Sequence, residues 1–148
     1  MRLLLQRVSR ASVTVRGTPV AEIGTGFLLL VGIGKDDDSG EYDRLADKVF
    51  HLRVFEDELG KMNRSLSDVA GEILVVPQFT LFGDVRKGRR PSWDAAAPPE
   101  TAEDRVEEFA RALEARGATV KRGAFREHME VELVNDGPVT LWIDSEAP

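Results

Sequence analysis

Glu72-Ile73-Leu74-Val75-Val76-Pro77-Gln78-Phe79-Thr80-Leu81 is the stretch that orders the rest of the chain. Its β-branched and leucine run has the length of a strand, so it predicts a central strand, and Pro77 inside it predicts a strand end or an irregularity there. Upstream, Phe27 to Ile33 reads as a buried strand. Before it, Val8 to Val15 alternates apolar with polar residues and Pro19-Val20-Ala21-Glu22-Ile23 follows a turn at Gly17, so the first third reads as a β-meander. Asp38 and Glu41 have capping-box spacing, and Tyr42, Leu45, Ala46 and Val49 recur at helical spacing, which predicts a first helix over about Ser39 to Arg53. A turn at Asp57-Glu58-Leu59-Gly60 follows. Downstream, Thr101 and Asp104 are placed to cap a second helix with the apolar stripe Val106, Phe109, Ala110 and Leu113, stopped by Gly117. Further strands are expected around Thr119-Val120-Lys121, Met129 to Val134 and Val139 to Ile143. There is no strict strand-helix alternation and no internal repeat, so the reading is one mixed α/β domain over residues 1–148, with largely antiparallel, barrel-like sheets and two or three outer helices.

A chain of 148 residues with 42% hydrophobic content can bury roughly two-thirds of the surface its unfolded form exposes, enough for one core. It has no cysteine, which excludes disulfides, thiolate metal sites and cysteine nucleophiles together. The apolar run after Met1 is short for a signal peptide and no stretch approaches a membrane span, so a cytoplasmic protein with no membrane partner is expected. A formal net charge of -6 argues against coating nucleic acid with bulk positive charge, but leaves room for a local basic patch. The one dense basic run is Arg86-Lys87-Gly88-Arg89-Arg90, which is either a phosphate contact or a solvated loop.

Spacing removes several catalytic engines. Gly24-Thr25-Gly26 has Leu29 where a dinucleotide fingerprint needs its third Gly, and Gly34-Lys35 is followed by Asp36 instead of the Ser or Thr of a phosphate loop. No G-x-S-x-G elbow exists, and His51 and His128 stand outside any metal-ligand spacing, so neither a metal nor another cofactor is expected. His51 falls off the apolar stripe of its helix and is expected in solvent; His128 is expected to be structural or superficial. A hydrolase built from this chain would work without histidine.

Pro77-Gln78-Phe79-Thr80-Leu81 and Asn135-Asp136-Gly137-Pro138-Val139-Thr140 resemble the paired signature motifs of the D-aminoacyl-tRNA deacylase family. Gln6-Arg7-Val8, Ala11 to Val15, Gly60-Lys61-Met62-Asn63 and Arg90-Pro91-Ser92 strengthen the resemblance, which covers nearly the whole chain. It implies hydrolysis of the ester of D-aminoacyl-tRNA by a homodimer, with sites shared across the interface and the 2′-hydroxyl of the terminal adenosine assisting. It implies further that Gln78, Phe79 and Thr80 form the catalytic motif, and that Gly137-Pro138 is a cis peptide excluding L-residues from the partner's site, with Arg7 holding it. Pro77, Phe125 and Met129 would line the pocket, and Arg86, Lys87, Arg89 and Arg90 would meet the acceptor stem. The family usually has Ser where this chain has Pro77. A branch that clears L-alanine carries Pro there, but it replaces the Phe and alters the second motif, both of which this chain keeps.

The residues support that chemistry independently. Alternation on a strand would put Gln78 and Thr80 on one face and Phe79 on the other, offering an amide, a hydroxyl and backbone N–H groups as an oxyanion hole. An aminoacyl ester is already activated, so donors and a positioned water suffice; Thr80 as a covalent nucleophile would need a base that the motif lacks. Gly137 would let bare backbone approach a ligand, a filter indifferent to side-chain type that would also admit glycine. Two other readings stay open: a non-catalytic module that binds the tRNA end, and a deacylase for L-alanyl-tRNA.

Overall fold

The computed structural model describes residues 1–147. Strand β1 (Arg2–Val15) turns into β2 (Thr18–Ile23), and β3 (Gly26–Gly32) leads to helix α1 (Glu41–His51). The short strands β4 (Phe55–Glu56) and β5 (Met62–Arg64) form a hairpin of their own. Then come β6 (Glu72–Pro77), a 3-10 turn (Phe79–Phe82), α2 (Pro99–Ala115), β7 (Thr119–Arg122) and β8 (Glu130–Asp144).

Strand β1 is the hub of a six-stranded sheet. One edge pairs antiparallel with β3 over its first half and with β2 over its second, while the other edge carries β8. Beyond β3 the sheet continues through β6 and β7, both parallel, and the crossovers that parallel pairs require hold α1 and α2. Lys121 Nζ donates to the carbonyl of Glu22 at 2.8 Å, tying β7 to β2 and bringing the ends of the sheet together into a nearly closed barrel. Closest approach comes at Gly26, where a Cβ would lie 1.8 Å from the Glu72 carbonyl oxygen, so only glycine lets β3 and β6 start side by side.

Alternation divides the core. Phe27, Leu29 and Val31 of β3 and Ile73 and Val75 of β6 face the helices, whose Tyr42, Leu45, Val49, Phe109 and Leu113 pack on them. Leu28, Leu74 and Val76 face the other way, into the curl of the sheet with Val8, Val13 and Ile23. Both faces of these strands are covered, as continuous apolar runs require.

Three expectations are corrected at element ends. Helix α1 begins at Glu41 with Gly40 as its N-cap and no side-chain cap bond; Asp38 instead accepts the Gly40 N–H at 2.9 Å, so the box does not form. Helix α2 begins at Pro99, whose missing N–H costs nothing in a first turn, so Thr101 and Asp104 lie inside the helix. The two expected C-terminal strands are one 15-residue strand, β8, running through the motif with register shifts against β1. Helix α2 stops at Gly117 (φ +99°) as expected. No helix among the described residues is long and apolar enough to cross a membrane.

Candidate active site

Strand β6 ends at Pro77, and the chain turns there instead of continuing as a strand. Gln78 still bonds β3, its N–H donating to the Val31 carbonyl at 2.8 Å, and the next four residues wind into the 3-10 turn. The strict two-face alternation expected for Gln78, Phe79 and Thr80 is therefore corrected: a turn brings the first and third side chains together, and Gln78 Nε2 donates to Thr80 Oγ1. Phe79 is 54% exposed, with its ring edge-on to Trp93 at 5.4 Å between centroids. The N–H groups of Phe79 and Thr80 open the turn and have no backbone acceptor among the described residues, as the first turn of any helix leaves its donors.

Beside the turn lies a cavity of about 800 Å³, a size suited to a small ligand. Pro77, Gln78 and Phe79 form one wall, and Phe125 and Met129, from the segment between β7 and β8, form another. Thr80 is exposed and does not line it. Sequence reasoning missed Trp93, Arg126 and His128, which also line it. Trp93 directly follows the Arg90-Pro91-Ser92 match, and the other two sit between Phe125 and Met129, so proximity to named residues was the available signal. Arg126 holds a left-handed backbone (φ +62°), rare for a long side chain, and stands 3.6 Å from Glu100. His51 is exposed against the Asp47 carbonyl, away from the cavity.

The second motif is built differently. The strand β1 register slips between Gln6, paired with Thr140, and Val8, paired with Asn135, so residues 136–139 bow outward opposite Arg7. Arg7 is 5% exposed; its guanidinium donates to the Asp136 carbonyl at 2.8 Å and to the Val54 carbonyl. Asn135 Nδ2 donates to the carbonyls of Arg7 and Val139, at 2.9 and 3.2 Å. A Cβ on Gly137 would lie 2.4 Å from Asn135 Oδ1, so a side chain there would have to displace the Asn135 amide. The Gly137-Pro138 peptide is cis, and both residues are exposed. Neither they nor Arg7 line the cavity of their own chain.

Arg86, Lys87, Arg89 and Arg90 sit on an exposed loop closed by paired backbone hydrogen bonds between Asp84 and Ser92, at 2.8 and 3.0 Å. Arg86 is turned back on the loop, donating to both carboxylate oxygens of Asp84 at 2.9 and 2.6 Å. Those bonds, with the Arg86 N–H, hold the Asp84 carboxyl at about 2. Lys87, Arg89 and Arg90 have no carboxylate partner among the described residues.

Fold and cavity together define a mixed α/β protein whose cleft is walled by a strand end, a 3-10 turn and aromatic side chains. The family model of D-Tyr-tRNA(Tyr) deacylase matches residues 4–144, and the chain belongs to that family. It is 63% identical to a D-aminoacyl-tRNA deacylase of Thermomicrobium roseum over 98% of this chain and 94% of that one. With the D-aminoacyl-tRNA deacylase of Symbiobacterium thermophilum it shares 57% identity, over 99% and 97% of the two chains. Among solved structures it is similar to the c-Myc DNA Unwinding Element Binding Protein, with TM-score 0.91 and 42% identity over 98% of this chain and 99% of that one. A probable eukaryotic D-amino acid tRNA deacylase shares the fold, with TM-score 0.83 and 18% identity over 96% and 97% of the chains.

Proposed function

We propose that this protein hydrolyses the ester of D-aminoacyl-tRNA in the cytoplasm, releasing the D-amino acid and tRNA, as a homodimer in which each cavity is completed by the other copy's Gly137-Pro138. The observation that carries this reading is the turn at Gln78, Phe79 and Thr80: its first two residues wall a cavity, the N–H groups of Phe79 and Thr80 have no backbone acceptor among the described residues, and the Thr80 hydroxyl is paired with an amide and not a base. Water adds to the ester carbonyl, the N–H groups of Phe79 and Thr80 take the developing oxyanion, and the carbon–oxygen bond to the ribose breaks as that oxygen gains a proton. Thr80 is not the nucleophile, because its oxygen already accepts from the Gln78 amide and no carboxylate or imidazole hydrogen-bonds it among the described residues. Phe125 and Met129 hold the terminal nucleotide, and Lys87, Arg89 and Arg90 meet phosphates. Arg86, occupied by Asp84, serves mainly to shape the loop.

Homodimerisation is supported by β8, which pairs with no strand but β1 among the described residues and which leaves Val134 and Trp142 40% and 51% exposed. An open strand edge with apolar side chains is a template for a second chain. Discrimination follows from bare backbone at Gly137 and Pro138, which leaves no room for an L side chain. Glycine has no side chain to reject, so glycyl-tRNA is cleared as well. Incubation with D-tyrosyl- and L-tyrosyl-tRNA tests the reading: the D ester is expected to be cleaved at least roughly a hundredfold faster, the scale that misplacement by about 1 Å costs. Comparable rates would remove the filter, and protection of both esters without release would make the protein a binding module.

A further inference from the structure

Phe79 is half exposed and sits at the tip of a turn only four residues long, which leaves its position underdetermined by local structure. Trp93 is the aromatic partner its ring meets, edge-on at 5.4 Å. Trp93 itself is tied down. The Ser92 N–H and carbonyl both bond Asp84, the Trp93 carbonyl accepts the Ala96 N–H at 3.0 Å, and the Ala97 N–H donates to the Ile33 carbonyl at the end of β3 at 2.9 Å. The strap that carries Trp93 is thereby fastened to the same strand end that receives the Gln78 N–H. Gly83, which closes the turn by donating to the Thr80 carbonyl at 3.0 Å, lies under the indole: a Cβ there would be 2.6 Å from the ring.

We propose that Trp93 is a positioning residue for the deacylation reaction, its indole wedged between Gly83 and Phe79 so that the turn walling the cavity is held in one geometry. The inference rests on the deacylase reading. Trp93 acts through Phe79 and not on the ester, so its loss weakens the chemical step more than binding. The geometry assigns Gly83 the complementary part. Its φ of -62° suits any residue, so what excludes a side chain there is the indole and the Thr80 carbonyl.

Single-turnover deacylation of D-tyrosyl-tRNA, with KM measured alongside, tests the proposal on the full-length protein. Trp93→Ala is expected to lower kcat about tenfold, near the upper end for one aromatic pair, with KM within about twofold, and Trp93→Phe to recover most of the loss. Gly83→Ala should lower kcat similarly. Adding Trp93→Phe to Gly83→Ala should return part of it, a non-additivity that separate sites would not give. Wild-type kcat in Trp93→Ala, or strict additivity of the Gly83 and Trp93 substitutions, would overturn the proposal. Should Trp93→Ala fail to fold, the Gly83→Ala and Trp93→Phe pair decides alone. Inactivity of the unsubstituted protein toward every D-aminoacyl-tRNA would instead count against the deacylase reading and remove this proposal with it.

Discussion

The Pro77–Phe82 turn and the Asn135–Thr140 bow are held by opposite means. Packing holds the first: β6 delivers it to a cavity wall, Trp93 braces Phe79, and two backbone N–H groups stay free. Side-chain hydrogen bonds hold the second: Arg7 and Asn135 grip carbonyls on either side of Gly137, and the exposed segment stands away from the cavity beside the turn. One region is a receptacle with donors unspent, and the other a hydrogen-bonded projection whose Gly137 and Pro138 are exposed. The contrast underlies the proposed reading, in which the site is divided between two copies joined along the outer edge of β8, which pairs with no other strand among the described residues.

The comparison breaks most visibly at Gly137. A Cβ there meets Asn135 Oδ1 at 2.4 Å, and Asn135 cannot swing aside without releasing two carbonyls. Gly137→Ala is therefore expected to cost about 1–3 kcal/mol of stability, as overpacking does, and at least roughly a hundredfold in deacylation. Denaturant melts and single-turnover rates check both, and a near-native rate with native stability would mean that the projection is not rigid.

A smaller effect sharpens the same contrast at the basic loop. If Lys87, Arg89 and Arg90 meet duplex phosphates, each change to Ala should reduce the slope of log KM against log salt by about 0.9. Arg86→Ala should change that slope less, because its guanidinium is already spent on Asp84. Equal slopes for all four variants would return the loop to the status of a solvated surface.

Much of this organisation was legible in the sequence. The runs at Phe27 and Glu72 are strands because few other arrangements bury them, and the stripe Val106, Phe109, Ala110 and Leu113 is buried in full. What misled was local chemistry with more than one solution. Asp38 has the right type and spacing for a capping box but closes a tighter bond to Gly40, and Pro99 opens α2 ahead of the polar residues that looked like caps. Gln78 and Thr80 do meet, yet through a turn and not across a strand, since Pro77 ends the ladder one residue before the motif. Trp93, Arg126 and His128 reach the cavity through contacts set by the whole fold, and their nearness in sequence to Ser92, Phe125 and Met129 was the one local sign of it.

The division of the site between copies is tested most directly by mixing two defective proteins, one carrying Phe79→Ala and the other Gly137→Ala, under conditions of subunit exchange. In a heterodimer one site collects both defects and the other neither, so activity toward D-tyrosyl-tRNA should return to about half the native value per dimer by two-fold symmetry. No recovery in heterodimers shown to form, or full activity from an isolated monomer, would contradict a cavity completed by the partner's Gly137-Pro138.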